Sequence, residues 1–244
     1  MIAKMIQSRP FPEPFGIFPT IFTFGAAAAL LAFMTGPLHR HLMAATNVEP
    51  VVGWFLLGGA GVFVPLLALA LYMLSSERNL RPETWRDRLR FRPFHRGDLA
   101  WTAGGLIAIV GATGLIMMAM RLAGCPLDLQ PSFMRFEALG PDRLWILALW
   151  LPFWLLNIFA EEILWRGVIL PRQEAAFGDW AWLANGLGWL LFHLAFGPDL
   201  MLALAPIILM LPYIVQRRHN SWIGVILHAG LNGPGFLTVA FGLA

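Results

Sequence analysis

A single cysteine, Cys125, stands in the whole sequence, so no internal disulfide can form and nothing about redox compartment follows. It is given no role. Charge is scarce as well: Asp, Glu, Lys and Arg make up 13% of the residues against 58% hydrophobic ones, and mean hydropathy is +0.67. A soluble domain carries about 25% charged residues, so this composition belongs in lipid. No internal repeat is visible, and no loop is long enough for a soluble domain. The first 19 residues lack the uninterrupted apolar core and small-residue cleavage site of a removable signal peptide. Pro10, Pro12, Pro14 and Pro19 break up the stretch behind Lys4 and Arg9 instead. The net charge of +3 and pI near 9.7 do not indicate a nucleic-acid binder, because the arginines sit mainly in short loops beside apolar runs.

What is abundant is apolar sequence in long runs. About 20 apolar residues cross a hydrocarbon layer roughly 30 Å thick. On that measure seven spans are expected, over 17–34, 51–74, 99–120, 144–165, 180–196, 200–215 and 222–241. The sixth is short and holds Pro206 and Pro212, so a broken or tilted helix is expected there. The fold class is thus all-α, a polytopic transmembrane bundle. Residues 1–143 form an N-terminal region of three spans and 144–244 a core of about four. Trp54, Trp101, Trp145, Trp180 and Trp222 fall near span ends, as an interfacial aromatic belt would.

Orientation follows from the loop between spans two and three, which carries Arg78, Arg81, Arg86, Arg88, Arg90, Arg92 and Arg96. Basic loops stay in the cytoplasm. Counting from there puts the N-terminus with Lys4 and Arg9 inside, then Arg166 with Arg172, then Arg217 with Arg218, and the C-terminus outside. Trp85, Leu89, Phe91 and Phe94 alternate with the cations of that loop. It therefore reads either as a solvated basic loop or as a segment lying on an anionic lipid surface. The expected location is integral and multi-pass, in a bacterial cytoplasmic membrane.

Ionisable groups inside spans cost on the order of 3 kcal/mol each on insertion scales, so each needs a partner, water or a function. Glu161 and Glu162 close the apolar run 144–160, interrupted only by Pro152 and Asn157. Residues four apart share a helix face. Glu162 can therefore pair with Arg166, while Glu161 faces elsewhere with Asn157 one turn before it. His193 sits deep in an aromatic and aliphatic span, and His228 stacks over Asn232 four residues on. At a rise of about 1.5 Å per residue, Glu161 lies on the order of 15 Å, His193 roughly 20 Å and His228 roughly 10 Å from the arginine-marked end. Three helices can thus present these groups to one cavity.

A carboxylate in a water-poor site is a stronger base than in water, and with an imidazole it can take a proton from water. Glu161 is the candidate base, helped by His193. His228 and Asn232 are the candidate donors to an oxyanion. Glu161, His193 and His228 are also a possible zinc set, although the His-Glu-x-x-His spacing of zinc helices is missing. Metal-independent water activation is the preferred reading and zinc its rival.

The run Glu161-Glu162-Ile163-Leu164-Trp165-Arg166-Gly167 resembles the Glu-Glu-x-x-x-Arg-Gly motif of the CPBP family, the CAAX-protease and bacteriocin-processing membrane proteins. His193 is similar to the histidine of that family's Phe-x-x-x-His motif, and His228 with Asn232 to its His-x-x-x-Asn motif, in the same order over 144–241. Trp189 departs from the pattern by standing where phenylalanine is expected, a change read as affecting cavity packing. The resemblance implies intramembrane cleavage of peptide bonds, with Glu161 and His193 activating water and His228 and Asn232 stabilising the oxyanion. Glu162, Arg166, Asn157 and Trp189 would support them. The expected partners are the lipid bilayer, a membrane-embedded peptide or protein substrate and a membrane-protein partner, with no nucleic acid. Two other readings stand beside this one: a non-proteolytic scaffold, assembly or immunity factor of the same fold, and a transporter, against which no paired broken helices in matching halves are seen.

Overall fold

The computed structural model describes residues 12–77 and 84–243. Lys4, Arg9, Pro10, Arg78 and Arg81 lie outside the described residues. Most of the described residues are helical, and six of the helical runs are long and apolar enough to cross a membrane. Helix α1 covers Ile17–Ala45, α2 Pro50–Ser75, the short α3 Trp85–Arg88, and α4 Arg96–Leu122. A 52-residue run, Trp145–Phe196, follows, then α8 over Pro198–Arg218 and α9 over Ser221–Ala240. That run is more than twice what one crossing needs. It consists of α5 (Trp145–Glu161), a π-helical segment (Glu162–Ile169), α6 (Leu170–Phe177), a turn and α7 (Ala181–Phe192). The turn lies at Gly178, whose φ of +57° favours glycine. The two limbs then run antiparallel: near the turn Asn185 bonds Gln173, and farther from it Trp165 meets Phe192 and Glu161 meets Trp189. The six apolar runs therefore make seven passes, as expected from the sequence. Helix α8 is continuous through Pro206 and Pro212.

Side chains facing outward are apolar, Phe18, Phe22, Ile107, Leu115 and Met118 among them. Such a surface is stable only against lipid, and the chain is an integral, multi-pass membrane protein. The bundle has two ends of different character. At one, Phe15 bonds Arg172, Glu77 pairs with Arg88 and Arg172, Arg90 with Glu174, and Arg218 with Asp98. At the other, Arg143 pairs with Glu49, and Leu139 bonds the Ala240 carbonyl. The basic segments 84–96, 172 and 217–218 thus share one end, in the alternation expected from the loops.

Two local readings change. The described part of the arginine-rich segment, 84–96, is neither a free loop nor a strip lying on lipid. Leu89 is buried, Arg88 and Arg90 are committed to Glu77 and Glu174, and Ser221 bonds the carbonyls of Leu89 and Arg90. The segment is docked on α6 and on the start of α9. Trp54 also leaves the expected belt: it is buried, edge-on to Phe63, Phe133 and Phe153, because Phe133 inserts from the 123–144 connection into that end of the bundle.

Candidate active site

Glu161 ends α5 and Glu162 opens the π segment. A π turn is wider than an α turn and disrupts the regular carbonyl ladder, a feature that recurs at functional sites. Two carbonyls of this segment accept from side chains: Gly167 from Arg88 at 2.9 Å, and Trp165 from Asn185 Nδ2 at 3.0 Å beside the Leu170 backbone N–H. Asn185 also donates to Gln173 Oε1, and Gln173 to Thr20 Oγ1, so α1, α6 and α7 jointly brace the segment.

Both glutamates are buried, at 1% exposure for Glu161 and 0% for Glu162. As expected from helical spacing, Glu162 Oε1 lies 3.2 Å from Arg166 Nη1, and Asn157 Nδ2 donates to Glu161 Oε1 at 3.3 Å. The neighbours from other helices were not legible. The indole N–H of Trp189 donates to Glu161 Oε2 at 2.5 Å. His228 Nδ1 lies 2.9 Å from Glu162 Oε1, so one carboxylate oxygen bridges Arg166 and His228. Glu162 fits there because α9 presents Gly224, where a Cβ would stand 2.4 Å from Glu162 Oε2.

Arg166 is entirely buried, and its guanidinium carbon lies 3.7 Å from the centre of the Trp189 ring. Cation–π attraction in a desolvated site is worth about 2 kcal/mol. His193 closes α7, and its Nδ1 lies 2.8 Å from the Trp189 carbonyl. A carbonyl only accepts, so Nδ1 carries the proton and the neutral ring keeps a lone pair on Nε2. The rings of His193 and His228 stand edge-on to Trp189, with centroids 5.3 and 5.2 Å away.

Glu161, Glu162, Arg166, Asn157, Trp189, His193 and His228 are therefore gathered by α5, the π segment, α7 and α9. Asn232 is one turn beyond His228 but exposed, outside this hydrogen-bonded cluster. Among the described residues, Glu161, His193 and His228 included, no three His, Cys, Asp or Glu side chains are gathered at metal-ligand spacing. Each Glu161 oxygen accepts one hydrogen bond, from Asn157 and from Trp189, and keeps a free lone pair.

The class this defines is a multi-pass helical membrane protein with a buried carboxylate, imidazole and guanidinium cluster inside the bundle. Residues 143–233, which hold every member of that cluster and Asn232, match the family model described as Rce1-like, Type II CAAX prenyl endopeptidase Rce1-like. The match falls on the segment whose motifs resemble those of the CPBP proteins, and it supports a CAAX-type intramembrane-protease fold there. No curated protein and no solved structure matches the chain.

Proposed function

We propose that the chain is an intramembrane endopeptidase that hydrolyses a peptide bond in a membrane-associated peptide or protein tail, lipid-modified tails included. The observation that carries this reading is the meeting of Glu161 and His193 at one residue, Trp189, with the Glu162–His228 pair alongside. In this reading Glu161 takes a proton from water, aided by His193 Nε2, and the resulting hydroxide attacks the carbonyl carbon. The C=O bond opens to an oxyanion, to which the Asn232 amide and the Nε2–H of His228, doubly protonated with its Nδ1–H on Glu162, donate. Collapse of the intermediate breaks the C–N bond, and the proton held by Glu161 passes to the leaving nitrogen. No step uses a metal. The basic end of the bundle faces the cytoplasm, in a bacterial cytoplasmic membrane, and the substrate approaches from that leaflet.

The same burial suits a second reading, a non-proteolytic scaffold or immunity factor in which the cluster only ties helices together. Glu161→Gln separates the two, since it preserves shape and removes the base. Purified wild type and variant are compared on prenylated and unmodified peptides, with and without chelator. The expected outcome is cleavage by wild type that chelator leaves intact, and a loss of at least about 100-fold in the variant. A variant that still performs the cellular function overturns the peptidase; loss on chelation with rescue by zinc overturns the metal-free chemistry.

A further inference from the structure

We propose that Trp189 is a positioning residue that aims the Glu161 carboxylate, a role that rests on the peptidase reading above. A carboxylate has about four lone-pair directions and rotates about its last bond unless donors fix it. Asn157 is a weak restraint, at 3.3 Å and on Glu161's own helix, so it moves with that helix. Trp189 is different in kind. Its N–H lies 2.5 Å from Oε2, short and charge-assisted, and it comes from α7.

The same residue holds His193 through its backbone carbonyl. The carboxylate and the imidazole are thus referred to one rigid group: the indole N–H sets one and the carbonyl oxygen the other. Arg166 over the ring face fixes the indole plane in turn, at 3.7 Å. With one lone pair on each Glu161 oxygen occupied, the free ones keep a constant direction toward a reacting water. Phenylalanine, the residue of the family pattern, would fill the ring's place and keep the contact with Arg166. It has no N–H, so the carboxylate would lose its cross-helix restraint. The departure at position 189 therefore changes chemistry as well as packing.

The test is Trp189→Phe in the full chain, purified in detergent. Orientation errors of about 1 Å cost up to about 100-fold in rate. We expect kcat to fall about tenfold or more while KM stays within about twofold. The second readout is the infrared carboxylate stretch of Glu161, identified as the band that Glu161→Gln removes. It should move in Trp189→Phe, because losing a donor changes both C–O bonds, whereas a packing role would leave it in place. An unmoved band, or an unchanged kcat where Glu161→Gln has none, overturns this proposal and leaves the peptidase reading standing. A moved band in a protein whose wild type cleaves no peptide overturns the peptidase reading, and the positioning role with it. If Trp189→Phe does not fold, benzothienylalanine at 189 keeps the bicyclic shape, replaces N–H by sulfur and is judged by the same two readouts.

Discussion

At the scale of single residues, helical arithmetic reached as far as one helix. Asn157 with Glu161 and Glu162 with Arg166 are four apart, and both pairs form. His228 meets Glu162 across 66 residues and Trp189 meets Glu161 across 28, separations that no periodicity reports. One signal was available: a buried indole N–H needs an acceptor, and a tryptophan among intramembrane acids has one at hand. Asn232 was placed beside His228 by the same arithmetic and lies on its helix, but exposed. The glycine that admits Glu162 gives a sharp prediction. Gly224→Ala puts a methyl 2.4 Å from Glu162 Oε2 and 3.2 Å from Val215 Cγ2, and Glu162 cannot swing away without leaving Arg166 and His228. Breaking a buried pair costs about 3–5 kcal/mol, so the thermal midpoint in detergent should fall by on the order of 10 °C, with activity lost. An unchanged midpoint would show that Glu162 is not pinned there.

At the scale of elements, length and hydropathy placed the spans, including α8, whose two prolines leave the helix unbroken. The π segment was not legible, since nothing in Glu162–Ile169 departs from a good α-helical sequence apart from Gly167. Its evidence lies in partners brought from elsewhere, Arg88 and Asn185. The docking of segment 84–96 was hidden for the same reason: the acids that hold it, Glu77 and Glu174, sit on other elements. Burial pushes the Glu77 carboxyl up, but the hydrogen bonds and charges of Arg88 and Arg172 outweigh it and hold the group below its ordinary value of 4.5. A depressed carboxylate stabilises the fold fully above its unfolded value, and that stabilisation is lost as pH falls from 4.5 through the lower folded value. Glu77→Gln should therefore melt about 2–4 °C below wild type at neutral pH, with the gap closing as the pH is taken below 4.5. Melting curves at a series of pH values check this; a gap that stayed constant would remove Glu77 from the docking.

At the scale of the whole molecule, the alternation of basic loops predicted which segments share an end, and the ion pairs bear out that grouping for 84–96, 172 and 217–218, whereas Arg166, expected with them, is buried against Glu162 inside the bundle. Which end faces the cytoplasm is open to direct test with a probe the chain already carries. Cys125 is exposed, in the connection after α4, away from the basic end. A membrane-impermeant maleimide should label it in intact spheroplasts, and labelling only after permeabilisation would invert the proposed orientation. The distribution of the buried charges also bears on how such a chain enters a membrane. Glu161, Glu162 and Arg166 emerge on a single helix, yet their remaining partners, Trp189 and His228, are synthesised 28 and 66 residues after the residues they contact. Only the Glu162–Arg166 pair and the Asn157–Glu161 hydrogen bond exist at the moment that helix leaves the ribosome. Its partition into lipid must therefore await α7 and α9, so the core is built as a late, cooperative step of biogenesis, and a nascent chain stopped before Ser221 would leave Glu162 without its imidazole.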